Sequence, residues 1–175
     1  GLGGGAGAAV LVLGPALAVG AAHIVSTPAD QPTAGSIIFV GILLAAGSAG
    51  EELFFRGYGF QELLAACGPW ATVIPVGVVF GLLHSGNPAA SWFSAANTAG
   101  FGILFGYAYL RSRDLWLPIG LHWGLNLFET SIYGPANSGA WEDDPNTLFA
   151  GHAHGAFLAT GGAFGPEASL FCLCI

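Results

Sequence analysis

One stretch decides how this chain folds: residues 49–57 read Ala-Gly-Glu-Glu-Leu-Phe-Phe-Arg-Gly. Two adjacent carboxylates, Glu51 and Glu52, and the guanidinium of Arg56 stand in sequence that is otherwise almost wholly apolar, because residues 36–50 carry no charge. Ionisable groups inside a membrane span are costly, and for that reason they usually serve a function. The rest of the sequence should therefore show membrane-spanning segments and contain partners for these charges.

The composition indicates a membrane protein. Of the 175 residues, 54% are hydrophobic and only 7% are charged, and the mean hydropathy is +0.68. A soluble domain carries about 25% charged residues. The net charge is -7, with three basic residues, which argues against nucleic acid as a partner because phosphate contacts need basic patches. We therefore expect the lipid bilayer to be the surroundings of this chain.

Apolar runs that suit membrane helices follow one another along the chain, since crossing a bilayer takes about 20 apolar residues. The run over residues 34–66 is too long for one simple span, so we predict that it contains a bend or two helices, with Gly47 and Gly50 as the weak points. Glycine pairs four residues apart predict close contacts between helices. The predicted helices cover residues 5–25, 34–66, 70–84, 89–110 and 115–133, with a last helix starting at Glu167. The glycine pairs are Gly77/Gly81, Gly102/Gly106 and Gly120/Gly124.

The charges of the opening stretch divide into a pair and a free carboxylate. Glu52 and Arg56 lie four residues apart, so they share one helix face and can form an ion pair. Glu51 lies about 100° around the helix from Glu52. We predict that Glu52 and Arg56 support the site and that Glu51 faces the interior of the bundle. The alternative is a buried ion cluster that serves packing alone.

Two further predicted helices bring polar side chains into apolar sequence. His84 ends one of them, and His122 and Asn126 share a face of the other. Together with Glu51 they form a set that suits amide hydrolysis. Glu51 would take a proton from water that His84 orients, while His122 and Asn126 would donate hydrogen bonds to the developing oxyanion. The alternative for each is a satisfied polar group of the core, which is the interpretation we accept for Asn97.

Three motifs on these helices resemble, in order, those of the CPBP family (CAAX proteases and bacteriocin-processing enzymes). They are Glu51-Glu52-x-x-x-Arg56, Phe80-x-x-x-His84 and His122-x-x-x-Asn126. The resemblance extends from about Ser36 to the C-terminus, and residues 160–167 are similar to the entry of the last helix in bacterial members. It implies an intramembrane endopeptidase that acts on a peptide or membrane-protein substrate. It further implies that Glu51 activates water with His84 beside it, that His122 and Asn126 form the oxyanion site, and that no metal or other cofactor takes part.

Three other functions compete with this one. A zinc-dependent membrane protease would use Glu51, His84 and His122 as ligands, although the sequence contains no H-E-x-x-H motif. A bacteriocin-immunity or scaffolding protein would share the fold without activity. A transporter would place a polar site at the membrane midplane, but the sequence shows no internal repeat.

The predicted fold is all-α: a polytopic transmembrane helix bundle with a polar active-site cavity between its helices. Residues 1–175 form a single membrane domain, which we interpret as a fragment, and residues 36–133 are its catalytic core. The acidic region 134–155 is predicted to be a loop outside the membrane, in which His152 and His154 are solvated rather than metal-binding. We expect a multi-pass protein of a bacterial cell membrane. The pattern assigns no role to Glu129.

Overall fold

The computed structural model describes residues 1–26, 34–130, 137–139, 149–153 and 155–174. The fold is helical, with one small two-stranded sheet in the part of the chain that is described. The helices are α1 (Leu2–Ala18), α2 (Ala34–Arg56), α3 (Tyr58–Cys67), α4 (Pro69–His84), α5 (Trp92–Ser112), α6 (Trp116–Phe128) and α7 (Phe157–Thr160). Three short 3-10 turns, Gly162–Phe164, Pro166–Ala168 and Leu170–Cys174, follow α7. Strands β1 (Ala22–Ser26) and β2 (Phe149–Ala153) pair antiparallel.

The long apolar run breaks at a different glycine from those predicted. The run is divided into two helices as predicted, but helix α2 continues through Gly47 and Gly50 and ends at Arg56, so the predicted position of the break was wrong. The chain turns at Gly57, where a Cβ atom would collide with the carbonyl oxygen of Leu53. A side chain at this position would prevent the close approach between the end of α2 and the start of α3.

Both ends of the chain also differ from the prediction. The first helix ends at Ala18 rather than near residue 25, because the chain turns at Gly20, which has a φ of 69°, into β1. No α-helix starts at Glu167, which lies in the 3-10 turn Pro166–Ala168. Of the predicted loop 134–155, the structure describes residues 137–139, 149–153 and 155. His152 belongs to β2, opposite His23, and is therefore not a loop residue, whereas His154 lies outside the described residues.

The predicted close contacts at the glycine pairs are confirmed. A Cβ atom on Gly77 of α4 would lie 2.6 Å from Cγ1 of Ile103 on α5, and one on Gly102 would lie 2.9 Å from the Cα atom of Gly77. Residue numbers rise along α4 as they fall along α5, so the two helices are antiparallel. On the other side of the bundle, a Cβ atom on Gly124 of α6 would lie 3.1 Å from the Cα atom of Gly5 on α1. The absence of side chains allows these backbones to touch.

Many large apolar side chains on the outside of the helices are exposed. Among the described residues, one helical run is long and apolar enough to cross a membrane, Ala34–Cys67, which comprises α2 and α3. Helices α1 and α4 are apolar but shorter. Apolar surface on this scale is unusual for a water-soluble protein and marks a contact with lipid or protein. The largest exposed apolar side chains on α2, α4, α5 and α6 include Phe39, Ile42, Phe54, Leu82, Leu83, Trp92 and Trp116.

The close contact at Gly77 between α4 and α5 predicts that Gly77→Ala and Gly100→Ala differ in stability. Gly77→Ala should lower the free energy of unfolding by about 1–3 kcal/mol, because the added methyl group overpacks the interface. Gly100→Ala on α5 is the control, since its Cβ atom would meet nothing within 4 Å. Thermal unfolding in detergent measures both. Equal stability of the two variants would contradict the close contact.

Candidate active site

A fully buried ion pair lies at the centre of the bundle. Glu52 and Arg56 have no exposed side-chain surface, and Arg56 Nη1 donates to Glu52 Oε1 over 3.2 Å. Arg56 Nη2 donates to the backbone carbonyl of Gly102 on α5. Glu52 Oε1 also accepts a hydrogen bond of 3.0 Å from His122 Nδ1 on α6. The ion pair predicted from the four-residue spacing is therefore present, and it joins α2 to both α5 and α6.

Aromatic rings enclose this pair. The guanidinium of Arg56 lies 5.1 Å from the ring centre of Phe80 and 5.7 Å from that of Phe105. Such contacts between a cation and ring faces favour a desolvated guanidinium. The imidazole of His122 stacks on Phe105, with ring centres 4.8 Å apart and planes at 16°. The stacking and the bond to Glu52 together fix the orientation of this ring.

Glu51 and His84 form the open side of the site. Glu51 is 41% exposed at its side chain, whereas His84 is 17% exposed. Glu51 Oε2 lies 3.8 Å from His84 Nε2 and 4.0 Å from His122 Nε2. His84 Nδ1 donates to the backbone carbonyl of Phe80 over 2.8 Å. A carbonyl can only accept, so this contact assigns the proton to Nδ1 and leaves Nε2 of the neutral ring as an acceptor that faces Glu51.

The four predicted catalytic residues converge on one cavity. Glu51, His84, His122 and Asn126 all line a cavity of about 360 Å³. The amide nitrogen of Asn126 lies 3.5 Å from Ser48 Oγ on the same wall. The structure thus brings together side chains from α2, α4 and α6 that the sequence placed on separate helices, while their chemical roles remain predictions.

Other residues of the site were not found from the sequence. Asn87, Asn137 and Ser138 also line the cavity. Ser48 has a local signal, because it lies four residues before Glu52 and shares its helix face. The other three are small polar residues at the ends of helices or outside them. Only their tertiary contacts distinguish them from ordinary polar loop residues.

Metal binding at this site is a separate question. In the described ranges, no group of three or more His, Cys, Asp or Glu side chains has the arrangement of a metal site. Zinc ligands stand about 2.0–2.2 Å from the ion, and a ligating histidine usually passes its second nitrogen to a carboxylate or carbonyl. His84 has such a second contact to a carbonyl, and His122 has one to a carboxylate. Because zinc ligands would have the same contacts, metal analysis is the test of the zinc alternative.

Comparison with known proteins is consistent with this geometry. Residues 33–128 match the family model described as type II CAAX prenyl endopeptidase Rce1-like. The chain is also 31% identical over 109 residues to the uncharacterized protein YyaK of Bacillus subtilis (strain 168). That alignment covers 53% of this chain and 35% of the relative, so the chain spans about a third of the length of the curated relative it matches. No solved structure matches the chain.

The family model covers more than half of the chain and includes all three motifs. The chain therefore belongs to the Rce1-like family. Membership, together with the apolar run Ala34–Cys67, supports a location in the membrane. The predicted membership of the wider group of CAAX proteases is confirmed.

The buried ion pair predicts a large effect of removing one partner. Arg56→Met leaves the buried Glu52 with only the hydrogen bond from His122, and we expect a loss of about 3–5 kcal/mol in the free energy of unfolding. Replacing both residues, as in Glu52→Gln with Arg56→Met, should recover part of this loss. Arg111→Met, at an exposed position near the end of α5, is the control. Denaturation in detergent measures the three, and equal stability of Arg56→Met and Arg111→Met would contradict the role of the pair.

Proposed function

We propose that this chain is the catalytic part of a multi-pass intramembrane endopeptidase in which Glu51 activates water. The observation that carries the proposal is the position of Glu51 Oε2, 3.8 Å from His84 Nε2 in a cavity that His122 and Asn126 also line. Glu51 Oε2 is buried and has no hydrogen-bond partner among the described residues. Such an atom at a cavity wall is suited to bind water.

The separation of the two acceptors suits one bridging water. A water oxygen can lie about 2.8 Å from both atoms when they are 3.8 Å apart. Glu51 accepts as a carboxylate, and His84 Nε2 accepts because its Nδ1 carries the proton. The water then donates both of its hydrogens, and its lone pairs point away from them, towards a peptide carbonyl in the cavity. A carboxylate held in this way is a general base.

The hydrolysis proceeds in balanced steps. Glu51 takes a proton from the water while the water oxygen bonds to the carbonyl carbon, giving a tetrahedral oxyanion. The carbon–nitrogen bond then breaks, and the proton on Glu51 passes to the leaving nitrogen. The products are a carboxylic acid and an amine, which exchange a proton to become a carboxylate and an ammonium ion, and the glutamate returns to its starting form.

His122 and Asn126 stabilise the oxyanion in this proposal. Asn126 donates through its amide group, and His122 donates through Nε2 in the form that carries protons on both ring nitrogens. Nε2 is available for this purpose because Nδ1 is held by Glu52. Loss of one oxyanion donor costs about 3 kcal/mol of barrier in known enzymes. Glu52 and Arg56 support the site by fixing this ring.

The proposed substrate is a peptide or a segment of a membrane protein that enters the cavity from a membrane. The exposed apolar side chains of α2 and α4 favour a helix bundle surrounded by lipid, and the relative from Bacillus subtilis favours a bacterial cell membrane. The description of the family adds prenylated C-terminal peptides as one substrate class. Paired peptides with and without the prenyl group, assayed in the same detergent, distinguish the two classes.

Removal of the general base is the central test. Glu51→Gln should lower the rate of peptide cleavage by about 10²–10⁴-fold, because the amide cannot take the proton from water. Glu62→Gln, an exposed acid on α3, is the matched control and should retain full activity. Undiminished turnover by Glu51→Gln would refute the proposal. If Glu51→Gln also restores every cellular phenotype of a deletion strain, the scaffolding alternative is favoured instead.

Metal analysis separates the glutamate mechanism from the zinc alternative. Glu51 Oε2 lies 3.8 and 4.0 Å from the two histidine Nε2 atoms, and the zinc alternative requires these three groups to move into a ligating arrangement. We expect purified, active protein to contain less than stoichiometric zinc and to keep its activity after chelation. Stoichiometric zinc that is lost together with activity, and that restores activity when added back, would contradict this expectation.

A further inference from the structure

We propose that Glu167 is a positioning residue for the catalytic cavity, which it serves by holding residues 137–139 as one wall. The inference rests on the proposed function, because it assigns the wall to the site of hydrolysis. Residues 137–139, called the wall segment below, lie outside the three sequence motifs. Glu167 lies further along the chain, in the 3-10 turn Pro166–Ala168.

Two hydrogen bonds join Glu167 to the wall segment. Glu167 Oε1 accepts from the backbone nitrogen of Ser138 over 2.7 Å and from Ser138 Oγ over 2.9 Å. The next residue, Gly139, donates its backbone N–H to the carbonyl of Phe164 over 2.6 Å. Ser138 has a φ of 50°, a conformation that L-residues rarely adopt without support from their surroundings. The carboxylate of Glu167, 4% exposed, supplies this support.

The wall segment is also bonded to the second and third motif regions. Asn87, which follows α4, donates through Nδ2 to the carbonyl of Ser138 over 2.8 Å. Asn137 Nδ2 lies 3.3 Å from both the carbonyl of Asn126 and Thr130 Oγ1. The segment therefore connects the loop after His84 to the helix that carries the predicted oxyanion donors.

Glu167 is itself fixed to the core of the bundle. Asn97 of α5 donates through Nδ2 to the carbonyls of Glu167 and Ser169, over 2.8 and 2.9 Å. Helix α5 packs tightly on α4 through the glycine contacts described above. Asn97 thus has the structural role expected of it. The two bonds from Asn97 fix the backbone at Glu167. The carboxyl group of Glu167 in turn fixes the wall segment.

The wall segment borders the reacting groups directly. Asn137 and Ser138 line the same cavity as Glu51 and His84. Ser138 and Glu167 also line a smaller, adjoining cavity that His122 and Asn126 share. Displacement of the wall segment would enlarge the space around the bound water and the peptide carbonyl. A misplacement of about 1 Å in an enzyme site can lower the rate by about 100-fold.

The groups that face Glu167 make its contribution dependent on pH. The carboxyl of Glu129 lies against it from the end of α6, the Cys172 thiol donates to its carbonyl, and the remaining partners, Ser138 and Asn97, are uncharged. Burial raises the pKa of Glu167 from 4.5 to about 7, and the hydrogen bonds from Ser138 oppose this rise. Because the pKa is higher in the folded protein, its stabilising contribution is present below pH 4.5 and is lost as the pH rises to about 7.

Three variants test the positioning role, with cleavage kinetics and hydrogen exchange as readouts. Glu167→Leu removes both bonds to the wall segment, and Ser138→Ala removes one with little risk to folding. Glu167→Gln keeps an oxygen that accepts both bonds. Ser112→Ala, remote from the cavity, is the control for loss of a hydroxyl group. All are made in the full chain and compared with Glu51→Gln.

We expect kcat to fall by about 100-fold in Glu167→Leu and by about tenfold in Ser138→Ala. Glu167→Gln should recover at least about tenfold of the loss in Glu167→Leu, because the hydrogen bonds to Ser138 are restored. The Ser138 and Gly139 amides should exchange faster in Glu167→Leu. The fall in stability of the unsubstituted protein between pH 4.5 and about 7 should be smaller in Glu167→Gln, in which only the part due to Glu167 is removed.

Two results would overturn the positioning role. One is faster amide exchange in Glu167→Leu with kcat unchanged, which leaves the hydrolytic proposal intact because Glu51→Gln would still be inactive. The other is the same loss of kcat in Glu167→Gln and in Glu167→Leu. If unsubstituted protein and Glu51→Gln are equally inactive towards every peptide, the proposed function fails, and the positioning role fails with it.

Discussion

A guanidinium without exposed surface is the constraint on which this structure depends. Removing a charge from water costs several kcal/mol even after relaxation, so a buried arginine requires a counter-charge and hydrogen-bond acceptors. Arg56 obtains its counter-charge from Glu52 on its own helix, a carbonyl from α5 and ring faces from Phe80 and Phe105. These contacts come from three helices, and the contacts of Arg56 therefore fix the relative positions of α2, α4 and α5.

The buried pair of Glu52 and Arg56 also determines the arrangement of the proposed catalytic groups. Glu52 Oε1 accepts from both Arg56 and His122, so the ion pair determines which nitrogen of His122 faces the cavity. Glu51, one residue earlier on the helix, is directed towards that nitrogen and towards His84. Adjacent glutamates thus have different surroundings: Glu52 is buried and charge-paired, while Glu51 is partly exposed to water. This difference suits Glu52 for support and Glu51 for proton transfer.

The sequence predicted the features that depend on local spacing. The four-residue interval between Glu52 and Arg56 and the glycine pairs each follow from helix geometry, and both are present. The break at Gly57 was missed because a steric contact with Leu53, not the glycine content of the run, determines it. The contact between Ser138 and Glu167 joins residues far apart in the chain, and no local pattern reports such a contact. The pairing of β1 with β2 was missed for the same reason.

The position of His84 as the last residue of α4 bears on how water reaches the reaction. Glu51 lies shortly before the end of α2, about 8 Å along the axis from Arg56 at the usual rise per residue. Both atoms of the proposed water site, Glu51 Oε2 and His84 Nε2, therefore lie close to the ends of their helices. In the proposed mechanism, water reaches the site from the loop after His84, because Asn87 of that loop lines the same cavity as Glu51. Hydration of the site then needs no long channel through the protein.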